Sequence, residues 1–462
     1  MTPLSGTQLA LILTSTALLA ATPAGAQQVR VRATTTARYV ELLPLRLDST
    51  GDFVAGERQG AAPVTQDFEL SAWGLGLPGL RAYGLVRLRG ALGSELVWPR
   101  YDDTFDALHA FVELDRPRWR ARAGRQQRVS GLGFYAFDGA SGLWRPRANI
   151  RVEAFVGRGL ARGFLEPLSS DAIRSLEPTR PEQGTLLFGA GAWTSPARGW
   201  TVGATWQREI LSDWSGLVSE RAALDAQGLL GRRFSFAASM DGDLAAGAVG
   251  RARLAVAWRR SAALVEVEAF RYRPVFDLTT IWGVFSPEGH HGYGARAEVP
   301  VGRGIVATGS LSYRLYRPVT ETTPFLVGVG DNSAVLSLGG RWSGRTLSLD
   351  ARYRLLTGYG GAQSGGDVQL GWAQPEAQWT AGLRAVAFQE EQQFRVADGT
   401  VFGLGGRFAI RVSDLLSTRA ELAQYWHHPS EGDLTLDWSQ LRALIAVELA
   451  FGASADRVRG YR

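Results

Sequence analysis

Few residues in this chain of 462 could do chemistry, and their spacing argues against it. His290-His291 and His427-His428 are adjacent pairs with no Asp or Glu at a ligating interval. A metal site needs ligands that converge, as two imadazoles one helical turn apart do. Both pairs therefore read as surface residues of external loops. His109 falls in an alternating segment with no evident Ser partner, so a Ser-His-acid hydrolase is not expected. Asp241-Gly242-Asp243 is turn chemistry rather than a calcium loop. Gly358 to Gly361 is not a phosphate-binding loop, because no helix follows it. There is no Cys, which removes disulfides, thiolate metal sites and covalent haem attachment. These readings lead to no catalytic residue, no metal, no cofactor and no enzyme.

Arginine is what remains. There is no Lys, so all 50 basic residues are Arg, against 44 Asp and Glu, for a net charge of +6. These arginines recur at every second position opposite apolar residues. Arg118, Arg120 and Arg122 alternate with Trp119, Ala121 and Ala123. Arg251 and Arg253 precede Leu254, Val256 and Trp258, which take the other face. Asp350, Arg352 and Arg354 oppose Leu349, Ala351 and Tyr353, and Arg407 and Arg411 oppose Phe408, Ile410 and Val412. Successive side chains of a strand point to opposite faces, so one face is charged and the other apolar. With no Gly period of three and 10% aromatics, the chain is neither collagen-like nor disordered.

The alternating segments are about 10 to 14 residues long, the length of tilted strands that cross a bilayer. Aromatics fall near their ends, at Trp98, Tyr101, Trp193, Trp200, Trp206, Trp282, Trp342, Tyr359, Trp372, Trp379, Trp426 and Trp438, as interfacial girdles require. Short links such as Arg116-Pro117 and Ser343-Gly344 alternate with long ones at 44–65, 159–183, 273–290, 318–331 and 428–437. This pattern predicts an all-β, transmembrane, antiparallel up-and-down barrel of about 22 strands, in a range of roughly 18 to 24. The segment 132–144 decides whether the count is even. Residues 1–26, an apolar run ending in Ala24-Gly25-Ala26, read as a signal peptide, and 27–462 as the barrel. The expected location is the bacterial outer membrane. The expected partners are its lipid, the barrel-assembly machinery and a periplasmic or lumenal protein, with no nucleic acid.

One stretch carries a family pattern. Gly124-Arg125-Gln126, Gly131-Leu132-Gly133, Phe137-Asp138-Gly139-Ala140 and the strand Ile150 to Phe155 resemble the alginate-export family of outer-membrane barrels. The resemblance implies a porin-like barrel that passes anionic polysaccharide or other solutes. It also implies that Arg125 and Asp138 are lumen or constriction residues.

Charge on a lipid face costs about 2–4 kcal/mol per Arg at mid-depth, so the alternating arginines are expected to face the lumen. The pore-lining set is Arg87, Arg89, Arg118, Arg120, Arg122, Arg125, Asp138, Arg151, Arg251, Arg253, Arg296, Arg352, Arg354, Arg407 and Arg411. Two roles are open to it: cross-strand ion pairs that keep the wall polar, or an anion-favouring pore. The lumen could be open, narrowed by an inward loop or filled by a partner. A channel is the first functional reading. The alternative is a wide sheath around a multihaem cytochrome.

Overall fold

The computed structural model describes residues 28–42, 45–50, 53–93, 105–162, 184–214, 216–245, 247–273, 289–316, 331–358, 362–374, 378–391, 399–430 and 437–452. The expected signal peptide at 1–26 lies outside them, as do Trp98, Tyr101, Trp282 and Tyr359. Every element among the described residues is a strand. The first group is β1 (Gln28–Leu42), β2 (Leu45–Leu47), β3 (Phe53–Ala55), β4 (Gln59–Trp73), β5 (Leu80–Gly93), β6 (Phe105–Asp115), β7 (Trp119–Ser130) and β8 (Gly133–Arg147). Next come β9 (Ile150–Arg162), β10 (Thr185–Thr194), β11 (Thr201–Leu211), β12 (Leu217–Leu230), β13 (Phe234–Asp243), β14 (Ala248–Arg260), β15 (Ala263–Tyr272) and β16 (His290–Gly302). The last are β17 (Ile305–Tyr316), β18 (Asn332–Ser343), β19 (Leu347–Gly358), β20 (Ala362–Ala373), β21 (Trp379–Glu391), β22 (Gly399–Arg411), β23 (Leu416–Pro429) and β24 (Trp438–Gly452).

Twenty-two of these strands form one antiparallel sheet. It closes because β1 pairs with both β24 and β4, through Arg32↔Ala450 on one side and Arg32↔Glu69 on the other. Closure leaves no unpaired edge, which is what a spanning sheet needs where no water can satisfy its backbone. The expected strand count is met, and 132–144 is a strand, β8. The link expected at 44–65 is different. It holds a separate two-stranded hairpin, β2–β3, and β4 already starts at Gln59. Strands also run further than the sequence suggests, so His290-His291 and His427-His428 lie in β16 and β23 rather than in loops.

A contact between distant strands identifies the inner face. The turn between β7 and β8 folds away from its own hairpin and reaches β12 and β14. There Arg221 Nη1 donates to the Leu132 carbonyl at 3.0 Å, and Arg251 Nη2 donates to the Gly131 carbonyl at 3.2 Å. Three strands separate β8 from β12 in the wall, so the turn crosses the concave side. Arg221 and Arg251 therefore face the lumen, and strand register carries that assignment round the ring. It places Glu266, Arg296, Asp350, Arg352, Arg407 and Glu448 inside, and Val267, Ala297, Leu349, Ala351, Phe408 and Val447 outside.

The outer face leaves Val112, Leu254, Leu311, Leu338, Leu383, Leu404, Leu422 and Ile445 exposed. An apolar surface that encircles the molecule belongs in lipid. At the short-turn end it is rimmed by Trp119, Trp144, Phe234, Trp342, Trp372 and Trp379, the last two with ring centroids 5.7 Å apart. Trp193 and Trp438 do not belong to this girdle. They pair with Arg151 and His427, so they point inward.

Replacing Leu383 by Arg at mid-depth on the outer face is expected to cost about 2–4 kcal/mol of folding stability. Urea titration in lipid vesicles checks this. A loss no larger than that of Leu383→Ala would remove the lipid-facing assignment.

Candidate functional site

Inside the barrel, charge is organised in two sectors. From β4 to β16, buried carboxylates gather arginines from neighbouring strands. Glu113 is fully buried, bonded to Arg81 and to Arg122 at 2.6 Å, with Arg120 at 3.7 Å. Asp241 sits between Arg221 at 3.3 Å and Arg251 at 2.9 Å. Arg253 spans Glu266 at 3.0 Å and Glu268 at 2.6 Å, and Arg296 reaches Glu266 at 3.0 Å. Arg87 grips Asp67 through two bonds of 2.7 and 2.8 Å, and Arg89 meets Asp106 at 3.3 Å. Alternation explains the arrangement. Every second residue faces inward, and residues paired in register are close enough for opposite charges to meet.

From β17 to β22 the balance changes. Arg352, Arg354, Arg407 and Arg411 are exposed on the inner face, and among the described residues none lies within 4.0 Å of a carboxylate. Arg384 stands 4.0 Å from Asp367, at the limit of an ion pair. This wall presents guanidinium groups to the lumen outside direct ion pairs, with Asp350, Asp367 and Glu421 on the same face. Arg151, on the other side of the ring, lies 4.4 Å over the Trp193 ring instead of pairing with acid.

Three of the residues expected to line the pore stand elsewhere. Arg118 lies in the turn before β7 and is exposed at the barrel rim. Arg125 and Asp138 bond to each other twice at 2.8 Å, but register puts them off the inner face. They are opposite each other in a row that continues to Arg158, one step along from Ala123, Ala140 and Val156 on the outer face. The reason is local. The β6–β7 ladder stops at Ala110↔Arg125, and Arg125 Nη1 donates to the Ala107 carbonyl beyond it at 2.9 Å. Arg125 thus completes a broken ladder, and Asp138 holds it there.

The inward turn is the feature that sequence reading missed. Leu132, Tyr135, Phe137, Phe155, Leu187 and Ala223 form a buried apolar cluster inside the lumen. Phe137 and Phe155 pack at 5.6 Å, and Arg128 lies 4.3 Å over the Phe155 ring. Beneath the cluster, Gly124, Gly139 and Gly157 occupy one row across β7, β8 and β9. A Cβ at Gly139 would strike the Val156 carbonyl, and one at Gly157 the Asp138 carbonyl, so only glycine lets these strands approach. Gln126 is buried beside this row, donating to the Gly139 carbonyl at 3.0 Å and accepting from Ser141 at 2.7 Å. The signal was present in the sequence: Leu132 to Phe137 breaks the alternation and puts Tyr135 and Phe137 on a face that is otherwise polar.

The four loop-pair histidines are wall residues. His290 is ringed by Phe270, Tyr272 and Tyr316 at 6.1, 5.4 and 5.0 Å. His427 is buried and stacked on Trp438 at 5.2 Å. Among the described residues no cluster of three His, Asp or Glu could hold a metal ion.

No family profile matches this chain, and no curated protein matches it. In shape it is similar to several solved structures at low identity. OccAB1 of Acinetobacter baumannii shares 8% identity over 93% of this chain and all 100% of its own, with a TM-score of 0.38. The outer membrane protein OpdK of Pseudomonas aeruginosa shares 9% over 92% and 99%, at 0.39. A BenF-like porin of Pseudomonas fluorescens Pf-5 shares 9% over 92% and 100%, at 0.42.

Two expectations follow from the site. A Cβ built at Gly131 lies 3.0 Å from Ala223 Cβ, so Gly131→Cys with Ala223→Cys should cross-link on oxidation in a chain without other cysteines. The gel shift between oxidised and reduced samples reports it, and no shift would mean that the turn does not lie on β12. Glu113→Gln leaves arginines around a buried neutral amide and should cost about 3–5 kcal/mol. Urea unfolding followed by tryptophan fluorescence measures that loss.

Proposed function

We propose that this protein is a porin-like channel that passes anionic solutes. The observation that carries the reading is the sector of arginines outside direct ion pairs, Arg352, Arg354, Arg407 and Arg411, inside a closed barrel with an apolar exterior. The barrel sits in the bacterial outer membrane, where strands of 10 to 15 residues with an outward apolar band are at home. Arginine rings lower the cost of bringing an anion out of bulk water, and these four lie outside ion-pair distance of the acids described on the same wall. The inward turn and its apolar cluster narrow one side of the passage. No step of bond making is assigned to any residue, and the protein acts by conduction rather than catalysis.

Anionic polysaccharide such as alginate is the finer reading, drawn from the motif at 124–157. Its support lies in the extended row of guanidinium groups along the β19 and β22 walls, which suits a polyanion better than a single small anion. The cytochrome sheath has less support, because the apolar cluster already occupies part of the lumen a haem protein would fill. Outer-membrane lipid and the barrel-assembly machinery are its expected partners.

In planar bilayers with a salt gradient, the reversal potential should show anion preference. The quadruple variant Arg352→Gln, Arg354→Gln, Arg407→Gln, Arg411→Gln should move it towards neutrality, and cation selectivity in the parent protein would sink the reading.

A further inference from the structure

The short turns carry a charge pattern that conduction does not use. Seven consecutive turns, from β6–β7 to β18–β19, each bear arginine at or beside the bend. Arg118, Arg147, Arg198, Arg233, Arg260, Arg303 and Arg345 represent them, and all are exposed. Among the described residues none of these seven lies within ion-pair distance of a carboxylate. The β4–β5 turn, Gly74 to Gly79, holds no charge, and the β22–β23 turn carries Asp414. The basic groups therefore form an arc over one side of the rim.

The arc lies beside the outward aromatic belt. Trp119 follows Arg118, Phe234 follows Arg233, and Trp342 comes three residues before Arg345. Register pairs Trp119 with Trp144 and Phe234 with Trp258, so these rings share the lipid-facing side. Indole rings settle at headgroup level, which sets the adjoining guanidinium groups at the depth of lipid phosphates. Arginine suits this position because its planar fork binds phosphate oxygens in pairs.

We infer that this arc is a collar that binds the phosphates of anionic phospholipid in the leaflet next to the short turns. The inference rests on the barrel spanning a membrane. Near a negatively charged surface each exposed arginine strengthens attraction by about fivefold, so several in one arc select anionic lipid over zwitterionic.

The test uses the full chain refolded into nanodiscs of phosphatidylethanolamine with phosphatidylglycerol, and into nanodiscs of phosphatidylcholine alone. A variant carries Arg118→Gln, Arg198→Gln, Arg233→Gln, Arg303→Gln and Arg345→Gln. Heat-modifiable gel mobility confirms that it folds. Native mass spectrometry should show phosphatidylglycerol retained on the parent barrel, with several-fold less on the variant, and an unchanged reversal potential. Equal retention on both proteins overturns the inference. So does a shifted reversal potential without a change in retention, which would make the arc a solute vestibule. Salt-sensitive capture of an acidic periplasmic protein without lipid preference overturns it in favour of a protein dock. A chain that fails to insert at all would instead defeat the membrane reading, and an inserted barrel indifferent to lipid charge defeats only the collar.

Discussion

Ladder closure is the constraint on which the rest depends. In hydrocarbon every backbone N–H and C=O needs a partner within the protein, and a sheet supplies one only when its last strand meets its first. Here β1 bridges β24 and β4. An even number of antiparallel strands lets that closure keep short turns at one end and long links at the other. It also makes side-chain direction collective: once Arg221 and Arg251 are fixed as inward, register assigns nearly every other residue. Where the ladder fails, between β6 and β7 above Ala110, a side chain has to take over, and Arg125 does.

Charge inside the barrel follows from the same constraint. The period of two places a polar residue inward at every second position whether or not a partner faces it. Between β4 and β16 partners do face each other, and carboxylates such as Glu113 and Asp241 are buried by the arginines they hold. Between β17 and β22 the arginines have small neighbours on one side, as at Gly339↔Arg352, Ser337↔Arg354 and Gly382↔Arg407, while Asp367 opposite Arg352 and Glu421 opposite Arg407 stay beyond 4.0 Å. Small neighbours leave the guanidinium groups open to the lumen. Structural ion pairing and anion attraction are therefore both present, on different parts of one wall.

Much of this was legible in one dimension. Alternation revealed the barrel, its two faces and nearly all strand positions, because the period of a strand is a local property. It also separated Arg352 from Tyr353 and Arg407 from Phe408. It misplaced Trp193 and Trp438 as girdle residues, since an aromatic at a strand end is equally compatible with either face. It misplaced the paired histidines, since loop and strand differ there by only one or two residues. The resemblance around Arg125 and Asp138 implied lumen residues, and register puts the pair off the inner face. Nothing in the string states that the β6–β7 ladder ends at Ala110.

The sequence by itself determined the class of object. An apolar face and a charged face at period two, on strands long enough to span a bilayer, with aromatic ends and links of alternating length, point to a closed spanning barrel rather than a soluble sandwich. Tertiary structure decided what the interior is. Which arginines find a carboxylate depends on the stagger between strands far apart in sequence. The turn at Gly131–Leu132 lies inside because β12 and β14 present Arg221 and Arg251 at the height where its carbonyls arrive. Those are relations across the ring, and no local pattern encodes them.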